Sequence, residues 1–169
     1  NIKNNLDELG IKLSDKELKM VTSKVIELGD KKERVTIEDL PYIINDVLDY
    51  PEKNKKVIID SYVLTSAKTL KPSTALSMII ENKLYQETAS GDGQFDAFMN
   101  ALKSIYRSIG LKLPKLIDYS VRIPPGSDSD ALCETTITWN SGKKKFKTRG
   151  LDSDQTVAAI KATEKMLNI

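Results

Sequence analysis

The hydrophobic positions of this chain change period part-way along it. From Ser14 to Leu48 they recur every three or four residues, the spacing of a helix face. Past Lys56 they alternate in short runs, the spacing of a half-buried strand. Ser14 and Glu17 stand at capping-box spacing, where a hydroxyl and a carboxylate satisfy the free amides of a helix start. Leu18, Val21, Val25 and Leu28 then line one face, and Gly29 suits the helix end. A second helix is expected from Asp39 or Leu40 to Leu48. Pro41 is tolerated only in a first turn, which favours Asp39 over Thr36 as its cap. Two such short helices bury too little alone and are expected to pack on something else. The polar stretch from Tyr50 to Lys56 reads as a linker and sets apart a helical subdomain, residues 1–50, from residues 51–169.

In the second part, Val57–Leu64, Ala75–Ile80 and Leu84–Thr88 have the apolar, β-branched content of strands, with breaks at Lys71-Pro72 and Asn82-Lys83. Ser90-Gly91-Asp92-Gly93 precedes a helix whose face is Phe95, Phe98, Met99, Leu102, Ile105, Tyr106 and Ile109, ended by Gly110. The order then recurs. Leu116–Ile123 is a strand with Ile117, Tyr119, Val121 and Ile123 on one face, and Pro124-Pro125-Gly126 turns the chain. Ala131–Trp139 and Lys145–Thr148 are strands about the turn Asn140-Ser141-Gly142. Arg149-Gly150-Leu151-Asp152 leads into a last helix from Ser153 to Leu167. The fold class expected is α+β, with two βββα repeats, Lys56–Ile109 and Leu116–Ile169, behind the small helical subdomain. Such units bury strand faces against each other with helices against the sheets, and a ligand pocket or dimer interface is expected between them.

Composition narrows function mainly by what is missing. The chain has no histidine and one cysteine, Cys133. No Ser-His or Cys-His pair can form, and one cysteine builds neither a disulfide nor a zinc site. No phosphate-cradling glycine motif is present. The chain therefore reads as non-catalytic, with no metal site and no cofactor of its own. A net charge of +2 gives no bulk argument for nucleic acid or an anionic membrane as partner. No apolar run approaches the roughly 20 residues of a membrane span, no signal-peptide pattern opens the chain, and the cytoplasm is the expected compartment.

Three local patterns carry candidate chemistry. At Gly91-Asp92-Gly93-Gln94, glycines before a helix start allow close backbone approach, and free helix amides attract an anion such as a carboxylate. The same spacing also makes an ordinary capped turn. Gly150-Leu151-Asp152-Ser153-Asp154-Gln155 is its counterpart. Paired starts of this kind suit an amino-acid zwitterion, with helix amides meeting the carboxylate and Asp96 or another acid meeting the ammonium. Lys143, Lys144, Lys145 and Lys147, with Phe146 beside Trp139, read as a lysine-protected edge hairpin or as a nucleic-acid surface. Cys133 reads as a small buried hydrophobe or a reactive thiol.

Gly91-Asp92-Gly93-Gln94-Phe95-Asp96-Ala97 resembles the regulatory domain of 2-isopropylmalate synthase and its relative citramalate synthase. Three further blocks agree in order. They are Leu116-Ile117-Asp118-Tyr119, Asp130-Ala131-Leu132, and the run from Thr148 to Thr156 before Ala158-Ala159-Ile160. The resemblance covers Val57 to Ile169, and Lys12 to Leu48 is similar to the family's helical linker.

The resemblance implies a homodimer that binds leucine or isoleucine near its interface. It also implies feedback inhibition of a separate barrel that condenses acetyl-CoA with a 2-oxo acid using a divalent metal. Carried over by position, the effector pocket comprises Gly91, Asp92, Gly93, Phe95, Asp96, Leu116, Tyr119, Ile123, Cys133, Ser153 and Gln155. Gln94 and Phe95 depart from the family's commoner proline and smaller aliphatic residue, so both effectors stay open. Leu116 lies opposite in alternation to Tyr119 and Ile123, which a strand edge or twist must reconcile. Two other readings remain. One is a double-stranded RNA-binding module, which the final hairpin and helix resemble although Asp152 and Asp154 would repel phosphate. The other is a free-standing small-molecule sensor.

Overall fold

In the computed structural model, which describes residues 1–30, 35–48, 55–123 and 132–169, three helices precede the strands. Helix α1 (Ile2–Glu8) is capped by Asn1, whose side chain accepts from the Lys3 amide at 3.0 Å. The helix falls within the expected helical stretch, residues 1–50, and its sequence signal is a capping asparagine before Ile2 and Leu6. Helix α2 (Asp15–Asp30) has the expected capping box. The Glu17 amide donates to Ser14 Oγ, and the Ser14 amide donates to Glu17, whose carboxyl is held below its ordinary value by that backbone bond. The helix runs through Gly29 rather than ending there. Helix α3 (Leu40–Leu48) follows a short 3-10 turn, Ile37–Asp39, that Thr36 caps. The buried Asp39 carboxylate accepts from both the Thr36 amide and its hydroxyl, so the turn and not α3 itself uses the capping pair. Of the expected linker, Tyr50 to Lys56, residues 50–54 lie outside the described residues, and Lys55 and Lys56 lead directly into the first strand.

Strands β1 (Val57–Thr65), β2 (Ser73–Ile80) and β3 (Lys83–Ser90) form one antiparallel sheet and lead into α4 (Gln94–Ser108). Strands β4 (Lys115–Arg122), β5 (Cys133–Asn140) and β6 (Lys145–Asp152) form a second and lead into α5 (Gln155–Leu167). The expected βββα duplication is therefore present. Leu76 and Ile137, Met78 and Trp139, and Gln94 and Gln155 occupy equivalent places at one constant spacing. The first hairpin turns on Glu81 and Asn82, both with positive φ, one residue earlier than expected; this is the two-residue turn that matches strand twist. The turn predicted at Pro124-Pro125-Gly126, and Ala131, lie outside the described residues.

Each repeat also carries one irregularity at the same place. Strand β1 has an extra residue, Asp60, between Ile59 and Ser61, and β4 has Ile117 between Leu116 and Asp118. A bulge shifts alternation by one residue. Leu116 pairs with Trp139 and Tyr119 with Ile137, two residues apart on β5, so Leu116 and Tyr119 share a face. This reconciles the conflict in alternation and removes Ile117 from the face on which simple period-two reading puts it.

The two sheets and the two long helices share one core. Leu76, Met78 and Ile80 of the first sheet join Phe98, Leu102 and Ile105 of α4, Ile137 and Trp139 of the second sheet, and Ile160 and Met166 of α5. Each such buried side chain contributes about 1.5–3 kcal/mol. Strand β6 extends to Asp152, further than expected, because Gly150 lets α5 lie against it. A Cβ there would stand 1.9 Å from the Ala158 carbonyl oxygen and 2.7 Å from the Ala162 nitrogen. Nearby, Trp139 Nε1 donates to Thr148 Oγ1 at 2.8 Å, and that hydroxyl donates to the Ala162 carbonyl at 2.7 Å.

Helix α5 also covers the free edge of β1. Asn168 accepts from the Val57 amide and donates to its carbonyl, and Glu164 accepts from the Ile59 amide at 2.7 Å and from Lys55 at 2.8 Å. At the equivalent positions α4 presents Lys103 and Arg107, both exposed, and Leu116 on β4 remains exposed. The helical subdomain packs on the outer face of the second sheet, where Val21, Leu28 and Ile43 meet Leu132 and Leu151. No helix among the described residues is long and apolar enough to cross a membrane.

Candidate functional site at the start of helix four

Strand β3 ends at Ser90, and the next three residues turn the chain into α4. Gly91 is buried, and a Cβ on it would stand 2.5 Å from the Ala97 nitrogen and 2.6 Å from Asp96 Oδ2, so only glycine fits. Gly93 is the cap residue in extended conformation and offers no side chain, which leaves the first amides of α4 without a side-chain acceptor at the cap. The exposed Asp96 carboxylate reaches back and accepts the Asp92 amide at 2.8 Å. One of its oxygens thus organises the loop, a structural duty additional to the ammonium contact expected from sequence.

Phe95, in the first turn, is half-buried. Its ring stacks near Phe98 (6.2 Å between centroids) and meets Tyr119 of β4 at 5.8 Å and 45°. Phe98 in turn meets Tyr62 edge-on at 6.1 Å. Tyr62 is the counterpart of Tyr119, since Tyr62 pairs with Leu76 as Tyr119 pairs with Ile137. Four rings therefore run from β1 through α4 to β4. Tyr62 and Phe98 were not among the expected site residues. The signal that could have found them is the repeat itself, which places a tyrosine at the same position of each first strand.

Leu116 lies on the Tyr119 face and is exposed, as is Ile123 just past the strand. Cys133 opens β5 opposite Asp152, with Sγ 3.9 Å from the Ser153 carbonyl. Burial first, then the carboxylates of Asp154 and Asp152, push its thiol above the ordinary value, so it is a poor nucleophile here. Ser153 precedes the cap residue of α5. That cap is Asp154, whose carboxylate accepts from the Thr156 and Val157 amides, and Gln155 is the first helical residue, later than the expected start at Ser153. The buried Asp152 carboxylate accepts from the Asp154 amide and from Lys161 at 2.8 Å. Burial pulls the Lys161 ammonium down, but the bond and charge of Asp152 outweigh it and hold the group above its ordinary value. Burial likewise raises the Tyr62 hydroxyl, helped by Asp152.

The structure thus brings Phe95 of the first repeat against Tyr119 of the second, on whose face Leu116 also lies. Cys133, Ser153 and Gln155 gather at the start of α5, where Thr135, two residues along β5, is buried with no hydrogen-bond partner for its hydroxyl. Two hollows of about 390 and 520 Å³ lie elsewhere, on the outer face of the first sheet, and touch none of the expected site residues. Among the described residues no group of three or more histidine, cysteine, aspartate or glutamate side chains is placed to hold a metal ion.

Residues 34–169 match the family described as the LeuA allosteric (dimerisation) domain. The chain belongs to that family. Among curated proteins, it is 29% identical to the 2-isopropylmalate synthase of Ruminiclostridium cellulolyticum over 96% of this chain and 30% of that protein. It is 31% identical to the 2-isopropylmalate synthase of Carboxydothermus hydrogenoformans over 95% of this chain and 30% of that one. It is 29% identical to the putative (R)-citramalate synthase CimA of Archaeoglobus fulgidus over 97% of this chain and 33% of that protein. This LeuA-type regulatory domain therefore spans about a third of the length of these relatives, and the similarity includes its N-terminal helices.

Proposed function

We propose that this domain senses leucine or isoleucine as a homodimer, and that binding feeds back on a catalytic barrel that condenses acetyl-CoA with a 2-oxo acid using a divalent metal. Residues 1–50 would serve as the linker to that barrel and 51–169 as the sensor, with barrel, metal and acetyl-CoA supplied outside these residues. The effector carboxylate is received by the free amides at the start of α4, beside Gly91, Asp92 and Gly93. The ammonium is met by Asp96, whose other oxygen is not needed by the loop. The aliphatic side chain lies against Phe95, Leu116, Tyr119 and Ile123, with Cys133, Ser153 and Gln155 closing the far side. The observation that carries this reading is the approach of Phe95 to Tyr119, which sets the unfilled helix start of one repeat against the exposed apolar face of the other.

Feedback requires that the effector bind the inhibited state more tightly than the active one. Isothermal titration of the domain with each amino acid tests the first half of the proposal. Saturable heat for one of them is expected, lost on Tyr119→Ala and weakened on Asp96→Ala. Absence of binding by both amino acids at millimolar concentration would remove the reading.

A further inference from the structure

We infer that the ion pair between Asp152 and Lys161 carries effector occupancy at the start of α5 to the N-terminal helices. The inference rests on the effector reading above and assigns its route through this chain. Successive residues of a strand point to opposite faces, so neighbours at the ends of β5 and β6 look opposite ways. Leu132 and Leu151 pack against Val21, Leu28 and Ile43 of α2 and α3 on the outer face. Cys133 and Asp152, the next residue along in each case, pair with each other and meet the start of α5. A shift of these strand ends on one face therefore moves the surface on the other.

The polar contacts cross the same partition. One oxygen of the buried Asp152 carboxylate accepts the Asp154 amide at 3.0 Å, and the other accepts from Lys161 at 2.8 Å. The Lys161 ammonium also feels the carboxylates of Asp46 in α3 and Glu27 in α2. It therefore stands between the loop that begins α5 and both docked helices. The first repeat shows that this charge is not needed to build the unit. At the constant spacing of the repeats, Asn100 takes the place of Lys161 and Ser90 that of Leu151. Asn100 donates to the Ser90 carbonyl at 2.9 Å as Lys161 donates to the Leu151 carbonyl at 3.0 Å. A neutral amide thus suffices to hold helix to strand there, where Gly91 replaces Asp152 and Lys71 replaces Leu132. The carboxylate, the ammonium and the two leucines occur together in the repeat on which the N-terminal helices dock, and not in the other. An effector against Cys133 and Ser153 loads the Asp152 loop and changes its hold on Lys161. The helices respond because effector affinity then differs between their two placements.

Amide hydrogen exchange of the whole chain, with and without saturating leucine or isoleucine, tests this. In the wild-type chain the effector is expected to change exchange in α2 and α3 about fivefold or more, the low end of ordinary coupling. Lys161→Asn, which installs the first-repeat amide, is expected to bind effector with little change in affinity and to leave exchange in those helices unmoved. Lys161→Arg keeps the charge and should keep the response. Asp152→Asn can still accept the Asp154 amide and should abolish the response as Lys161→Asn does, so the test does not hang on one variant; circular dichroism checks that each is folded. A helix response that persists in both neutral variants, or a wild-type chain that binds effector with no helix response, overturns the route and leaves the effector reading intact. A wild-type chain that binds neither amino acid overturns both.

Discussion

The rings of Phe95 and Tyr119 meet at 5.8 Å across the boundary between the two repeats. Phe95 belongs to the first turn of α4 and Tyr119 to β4, and no other aromatic pair among the described residues joins the repeats. Their separation fixes how far the helix start stands from the exposed face of β4, which is the distance an effector would have to bridge. Loss of the ring at Tyr119 should therefore cost both stability and binding. Tyr119→Ala is expected to destabilise by about 2 kcal/mol, less than a fully buried aromatic because Tyr119 is half-exposed, while Tyr119→Phe should change stability little. Urea unfolding checks the order; equal losses for both variants would show that the hydroxyl, not the ring, matters.

Two glycines should respond to alanine with opposite signs. At Gly150 the added Cβ meets the backbone of Ala158 and Ala162, which cannot move aside without lifting α5 from β6, so Gly150→Ala should cost roughly 3 kcal/mol or more. At Gly29, within α2, nothing lies within 4 Å, and alanine should stabilise by about 0.5–1 kcal/mol. Denaturant midpoints of the two variants decide this.

The link between the βββα units and the N-terminal helices can be tested at one ion pair. Lys165 of α5 and Asp46 of α3 meet at 2.8 Å with side chains 13% and 9% exposed, and Lys165 also bonds the Asp46 carbonyl. Removing one partner strands the other charge, so Lys165→Met should cost about 2–3 kcal/mol, and pairing it with Asp46→Leu should recover most of that. Because Lys165 lies at the opposite end of α5 from Ser153 and Gln155, the single variant should loosen α3 while leaving amino-acid affinity near wild type. Amide exchange of α3, alongside titration, would expose a contrary result.

Cys133 gives a pH test. Its thiol is raised by burial and by Asp154 and Asp152, so the fold favours the neutral form. The stability this confers is present below the ordinary thiol value, about 8.5, and is lost as pH rises through the higher folded value. Alkylation by iodoacetamide should therefore turn on later in pH than for a free cysteine, and bound effector should slow it further. A midpoint at or below the ordinary value would contradict the assigned surroundings.

Much of this architecture was legible in the residue pattern because the duplication repeats local signals. The helical run from Phe95 to Ile109 and the alternation in each strand depend on neighbours within a few residues, which sequence displays directly. The misreadings have long-range causes. Simple alternation puts Ile117 on the Tyr119 face, because a bulge leaves no mark in composition. Arg149 to Asp152 reads as an approach to a helix because the reason Gly150 is needed, the backbone of α5, lies beyond the strand itself. Thr36 lost to Asp39 as a cap because the 3-10 turn between them reassigns both groups.

By itself the sequence determined the two βββα units, the family to which they belong, and the glycine-rich approach to α4, since each rests on chemistry within one short segment. Only the tertiary structure decided that Phe95 meets Tyr119 and that a bulge puts Leu116 on the Tyr119 face. Those relations depend on how strands pair and helices stack, and pairing register is set by contacts between residues far apart in the chain.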